Sequence, residues 1–204
     1  MSTGPVSALP GWWGKLPGAG DFSHRRLPDA PRACLDGWLQ AELGKLRARH
    51  AGWQSAYLNA PLWCFAVGPG VLTPEAWLGV LMPSVDRVGR YFPLVIVQSV
   101  REAVQEHGHS VRGWWRGAAD AALQALEQDQ GPEDLERGLA RRFAQAEAPR
   151  AGDEPVPLPA PGHSHWHSDR DLGAPLVCEG WPRGAHFDLL FDLAGLPVSG
   201  ALGT

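Results

Sequence analysis

The chain has 204 residues, enough for one ordinary domain with appendages and too few for a second core to be the default. Hydrophobic residues make up 44% and charged residues 20%, so burial can offset chain entropy and disorder of the whole chain is excluded. A formal net charge of -4 without any block of Lys and Arg argues against nucleic acid as a partner, and the strongest apolar run, Leu94 to Val97, falls far short of the roughly 20 residues that insert across a membrane.

The opening MSTGPVSALP has no cationic stretch followed by an apolar one, so residues 1–10 are expected to be a flexible N-terminus and the protein to stay in the cytoplasm. Residues 11–27, GWWGKLPGAGDFSHRRL, read as a short strand running into a tight, exposed turn. A helix follows: Asp29 suits its cap, Pro31 its first turn, and Leu35, Trp38, Leu39, Leu43 and Leu46 recur at helical spacing. A second short helical piece runs from about Trp53 to Leu58 and ends before Pro61. Three apolar runs come next, Leu62 to Val67, Trp77 to Met82 and Tyr91 to Val97, and read as adjacent strands. The Gly- and Pro-rich link GPGVLTPEA favours antiparallel neighbours, and Pro93 suggests an edge position or a bulge for the third run.

From Ser110 the residues Val111, Trp114, Trp115, Ala118, Ala122 and Leu126 again mark a helical face, broken by Gly131 and Pro132. Another helix carries Leu135, Leu139 and Phe143, with Glu133 and Asp134 in its first turn. Residues 147–162 hold five Pro and read as an extended, mobile linker. HSHWHS and Phe187 to Leu193 look like short strands completing a sheet, and residues 195–204 like a flexible tail. The fold expected is α+β, a largely antiparallel β-sheet sandwiched by α-helices. The cysteines Cys34, Cys64 and Cys178, odd in number and far apart, read as reduced core thiols, and some of the ten Trp as contact surface.

Chemistry-bearing motifs are sparse. The Gly-rich opening lacks the glycine five positions before Gly14-Lys15 and the hydroxyl after Lys15 that a phosphate loop needs; Leu9 and Leu16 stand there. Ser199 has Pro197 where a nucleophile elbow needs glycine. Alternation places His163, His165 and His167 on one strand face, with Asp169 and Asp171 following; this set could hold a metal ion, or be solvated histidines on an edge strand. In LMPSVDRVGRYFPL three charges, Asp86, Arg87 and Arg90, interrupt two apolar strands. Arg87 or Arg90 can pair with Asp86 or with Asp21, which would make a structural corner or a rigid docking surface with Trp12, Trp13, Phe22 and Tyr91 as its aromatic part.

GWWGKLPGAGDF, APLWCFAVGPG and GVLMPSVDRVGRYFPL together resemble the TagF (ImpM-type) family of accessory proteins of bacterial type VI secretion systems. The likeness covers residues 11 to about 130 and is weaker beyond the Pro-rich linker. The family signature falls on Gly14, Lys15, Leu16, Pro17, Gly20, Asp21 and Phe22, and on Pro83, Ser84, Asp86, Arg87, Gly89, Arg90 and Phe92. The resemblance implies a single domain, and the order of elements is, by analogy, similar to longin or profilin-like folds. The resemblance also implies a cytoplasmic, post-translational negative regulator that binds the forkhead-associated-domain scaffold protein of the apparatus, without enzymatic activity or cofactor. The partner-binding residues expected are Trp12, Trp13, Lys15, Asp21, Phe22, Asp86, Arg87, Arg90 and Tyr91. Two alternatives stand beside it: a structural or assembly subunit of the apparatus, and a metal-binding module or enzyme built on the His strand.

Overall fold

Consecutive residues of a strand face opposite ways, so a strand apolar at every position must be covered on both sides. That condition holds at WCFAV, at WLGVLM and over the first four residues of LVIVQS, and the chain meets it with helices on both faces of one sheet. The computed structural model describes residues 9–144, 155–168 and 174–193. The strands are β1 (Gly11–Gly14), β2 (Ser23–Arg25), β3 (Trp63–Val67), β4 (Trp77–Met82), β5 (Leu94–Ser99), β6 (His163–Ser168) and β7 (Leu176–Glu179). They form a seven-stranded sheet in the order β2-β1-β5-β4-β3-β6-β7, with every pairing antiparallel. The helices are α1 (Asp29–Arg49), α2 (Trp53–Asn59), α3 (Val111–Glu127), α4 (Pro132–Arg142) and α5 (Ala185–Leu189), and a π-helical turn, Arg101–Glu106, follows β5.

Adjacent residues of β1 show the two-sided burial directly. Trp12 joins Leu78, Val80 and Ile96 under Trp114 and Ala118 of α3 and Leu135 and Leu139 of α4. Trp13 joins Phe65, Val95 and Val97 under Leu35, Leu39 and Leu43 of α1, Tyr57 of α2 and Phe187 of α5. Buried indoles need an acceptor for their N–H. Trp38 donates to Pro182 O at 2.8 Å, Trp63 to Leu190 O at 2.9 Å, Trp114 to Gln98 Oε1 at 2.7 Å and Trp115 to Phe65 O at 3.1 Å. Trp12 Nε1 reaches Glu136 on α4, whose carboxylate also takes both terminal nitrogens of Arg26, so one acid fastens β1 and the residue after β2 to the helical layer.

The α+β class and the antiparallel sheet sandwiched by helices match the sequence expectation. Several local expectations do not. Pro93 lies just ahead of β5, which is an inner strand between β1 and β4 and carries no bulge; the strand starts at Leu94, after the chain has turned past the proline. HSHWHS is also an inner strand, because β7 pairs along its outer side. Phe187 to Leu193 starts helical, as α5, with Phe187, Leu190, Phe191 and Leu193 all buried against the α1 layer. Asp29 is the first helical residue and does not cap α1, whose preceding residue is Pro28. Of the presumed linker, residues 155–162 carry no regular element but are docked. Gly162 N donates to Pro69 O at 2.8 Å, Gly68 N to His163 O at 2.8 Å, and Val156 packs on the α3 side of the core. Residues 147–154 of that segment, the first eight residues of the N-terminus and the tail 195–204 lie outside the described residues. Cys64 and Cys178 are buried free thiols, as expected, whereas Cys34 is half-buried.

Candidate functional site

Antiparallel pairing of β1 with β5 sets Gly14 opposite Leu94, so the chain leaving β1 and the chain entering β5 emerge at the same end of the sheet. The segment after β1, residues 15–22, and the corner between β4 and β5, residues 83–93, therefore meet. The corner is a closed turn. Asp86 N donates to Arg90 O at 3.1 Å, Gly89 N to Asp86 O at 2.9 Å and Phe92 N to Ser84 O at 3.1 Å, and Val85 bridges Tyr91. Asp86 organises it from inside, accepting from Val88 N at 3.1 Å, Arg90 N at 2.9 Å and Arg90 Nε at 2.7 Å. A fourth donor comes from the other loop: Lys15 Nζ lies 2.5 Å from Asp86 Oδ2, both side chains almost wholly buried. Burial alone would raise the Asp86 pKa, but the hydrogen bonds from Lys15 and Arg90 outweigh it and hold the carboxyl far below the usual range.

Three further links fix the loops to each other, and others fix them to the helices. Arg87 N donates to Ala19 O at 3.0 Å, the Arg90 guanidinium donates to Gly20 O, and Arg90 Nη2 stands 3.7 Å from Asp21 Oδ1. Gly18 N donates to Gln130 O at 3.0 Å, in the connection between α3 and α4. A Cβ at Gly18 would sit 2.6 Å from Asp129 O, so glycine is what allows this approach. Below the corner, Tyr57 of α2 donates its hydroxyl to Ser84 O and accepts from Ser84 N, both at 3.0 Å.

The aromatics divide by depth. Trp12 and Trp13 are core residues on opposite faces of the sheet, which corrects their assignment to the docking surface: both positions of a strand covered on two sides are interior. Lys15 is likewise interior, screened by the ring of Phe22, whose centroid lies 4.4 Å from Nζ. Phe22 stacks on Trp13 at 5.7 Å and meets Phe92 edge-on at 4.9 Å, yet stays 43% exposed. Tyr91 is half-buried, in edge contact with Trp53 and Tyr57. Of the predicted set, then, Asp21, Phe22, Arg87, Arg90 and part of Tyr91 reach the surface, while Trp12, Trp13, Lys15 and Asp86 build what lies beneath. Sequence reasoning missed Val88, the 64% exposed tip of the turn, and the supporting roles of Tyr57 and Gly18. A hydrophobic residue between two charges of a turn was the available signal for Val88. The expected arginine pairing holds through Arg90, and Lys15 is an unexpected addition. Arg90 pairs with both Asp86 and Asp21, and Lys15 takes the buried side; Arg87 makes no ion pair among the described residues.

On the His strand, His163 is exposed, His165 half-buried and His167 buried, its ring 5.3 Å from that of Trp115. Among the described residues no group of three or more His, Cys, Asp or Glu is placed to hold a metal ion; Asp169 and Asp171 lie outside them. Among the described residues no helix is long and apolar enough to cross a membrane.

Comparison with known proteins bears on both loops. The family model of the TagF N-terminal domain, type VI secretion system-associated, matches residues 11–142, a span that contains both loops and their supports. No curated protein sequence matches the chain. A search of solved structures finds similarity to the crystal structure of PA0076 from Pseudomonas aeruginosa PAO1, with 30% identity, a TM-score of 0.70, and coverage of 96% of this chain and 99% of that one. The chain therefore belongs to the TagF family of type VI secretion system-associated proteins.

Proposed function

We propose that this protein is a cytoplasmic, post-translational negative regulator of a type VI secretion system that works by binding, without catalysis, and that its partner is the forkhead-associated-domain scaffold protein of the apparatus. The two-loop platform is the observation that carries the binding reading. Its backbone is fixed by links to α2 and to the α3–α4 connection, so little conformational entropy remains to be lost when a partner docks. Its outer surface combines an exposed aromatic, an exposed aliphatic and arginines, the composition of interface anchors. Its buried carboxylate is poorly suited to proton transfer. Asp86 is held ionised by Lys15 and Arg90, far from the near-neutral pKa that a general acid or base needs.

The test is calorimetric titration of the purified chain with the scaffold protein, paired with a secretion assay in cells. Reversible micromolar-or-tighter binding, together with loss of secretion on overproduction, is the expected result. No heat of binding at about 100 μM of each protein, or secretion unchanged by overproduction, would overturn the reading. A permanent structural subunit would instead co-purify at fixed stoichiometry through a larger, more apolar interface.

A further inference from the structure

The platform carries an excess of positive charge on a molecule whose sequence is net negative at -4. Lys15, Arg87 and Arg90 face two carboxylates, Asp21 and Asp86, and Asp86 is buried and already ion-paired. Arg47 of α1 adds a fourth cation at the Tyr91 end, its guanidinium 4.6 Å over Trp53 and donating to Tyr91 O at 3.0 Å. Arg90 is spent on Asp86, Asp21 and Gly20 O. Arg87 is not: its main chain is anchored to Ala19, while its exposed guanidinium has no carboxylate within ion-pair distance among the described residues. It lies over Gly20, where an added Cβ would stand 3.6 Å from Nη2, and the absence of a side chain there leaves the planar group open to the outside. Val88, the next residue, and Phe22, on the other loop of the platform, are exposed apolar groups.

A guanidinium without an ion pair among the described residues, held on a fixed backbone, presents a fork of donors that fits a carboxylate, and exposed apolar groups on the same platform fit an aliphatic or aromatic side chain. Resting on the binding reading above, we propose that the platform takes an acidic protein segment with an apolar anchor, a carboxylate meeting Arg87 and a hydrophobic side chain meeting Val88 and Phe22. Recognition is then a charge-complementary contact of modest area, steered by the cationic rim.

The test uses the full chain and the purified scaffold protein as probe, titrated at about 50 and 300 mM salt. Arg87→Glu and Val88→Asp are the working variants, since neither side chain supports the fold. Arg141→Glu, an exposed cation on α4 outside both loops, makes the same change in net charge as Arg87→Glu and serves as the control. The expected outcome is at least a tenfold loss of affinity for each working variant, no more than a twofold change for Arg141→Glu, wild-type binding weakened at high salt, and thermal midpoints unchanged in all. Wild-type binding retained by both working variants overturns the acidic-segment inference and leaves the binding reading intact. Equal weakening by Arg87→Glu and Arg141→Glu also overturns it, because the effect is then bulk electrostatics. Tighter binding at high salt does so as well, because the contact with the scaffold protein is then apolar. Absence of wild-type binding overturns both readings.

Discussion

Asp86 shows how one buried charge can hold two loops. Its carboxylate accepts four hydrogen bonds, two from backbone amides of its own turn and one each from the side chains of Arg90 and Lys15. Arg90 is 51% exposed and solvent screens its share, whereas Lys15 is buried with the carboxylate and no water can replace it. Removing one partner of a buried pair leaves an uncompensated charge, with a usual cost of about 3–5 kcal/mol. Lys15→Met keeps the length and the packing under Phe22 and removes only the ammonium. It should destabilise the fold by about 3 kcal/mol, the low end because Arg90 remains, as read by urea denaturation. Asp86→Asn combined with Lys15→Met removes both charges and should recover more than 1 kcal/mol of that loss, a coupling that a double-mutant cycle measures directly. The sequence placed Asp86 and an arginine together because they are four residues apart. It did not place Lys15 there, since the contact depends on the β1–β5 register across some seventy intervening residues.

At the scale of elements, the sheet is held by cross-strand aromatics that need room. Phe65 on β3 lies opposite Gly79 on β4, and a Cβ at Gly79 would stand 2.0 Å from the Phe65 ring. The ring cannot swing aside, because it is fully buried and stacked 4.5 Å from Trp166 of β6, with Trp181 against its edge. Gly79→Ala should therefore lower stability by about 1–3 kcal/mol through overpacking, and Phe65→Leu in the same chain should restore part of it, measured as thermal midpoints. A neutral Gly79→Ala would show that the stack is softer than its geometry. Such central strands were legible: long runs with no polar face, and α1, α3 and α4 with their 3.6-residue stripes, follow from periodicity alone. The three-residue β2, edge strand β7 and short α5 were not. Each is too brief for a period to show, and each exists because a neighbour offers it a place: β1 for β2, β6 for β7 and the α1 layer for α5. The docking of residues 155–162 was equally hidden, because proline content reports the absence of regular structure and says nothing of whether the segment is anchored.

Across the whole molecule, the structure ties its layers together with buried or half-buried carboxylates that must stay ionised. Glu136 joins α4 to Trp12 and Arg26. Asp188 joins α5 to α1 through Arg49 and through His50 Nε2 at 3.0 Å. Glu42 of α1 accepts from Lys45 at 2.7 Å and from Gly184 N at 3.0 Å, anchoring the chain before α5. With Asp86 these make four acids. In each, burial pushes the pKa up, but hydrogen bonds from the cationic partners, helped by the indole of Trp12 and the amide of Gly184, outweigh it and bring the net shift down. A carboxyl whose folded pKa is depressed binds its proton more readily in the unfolded chain, so its contribution to stability is complete above the unfolded values near 3.8 for Asp and 4.5 for Glu. That contribution is lost progressively as pH falls through those values toward the folded ones. Stability should therefore be nearly flat from about pH 6 to 8 as far as these acids are concerned, and drop steeply below about pH 4.5. Asp86→Asn cannot titrate at that position. It should be less stable than the native chain at pH 7, with the gap between the two proteins closing as pH falls below 4. Chemical denaturation at half-unit intervals from pH 3 to pH 7 measures both curves, and parallel curves over that range would mean that Asp86 is not ionised against Lys15 in the folded protein.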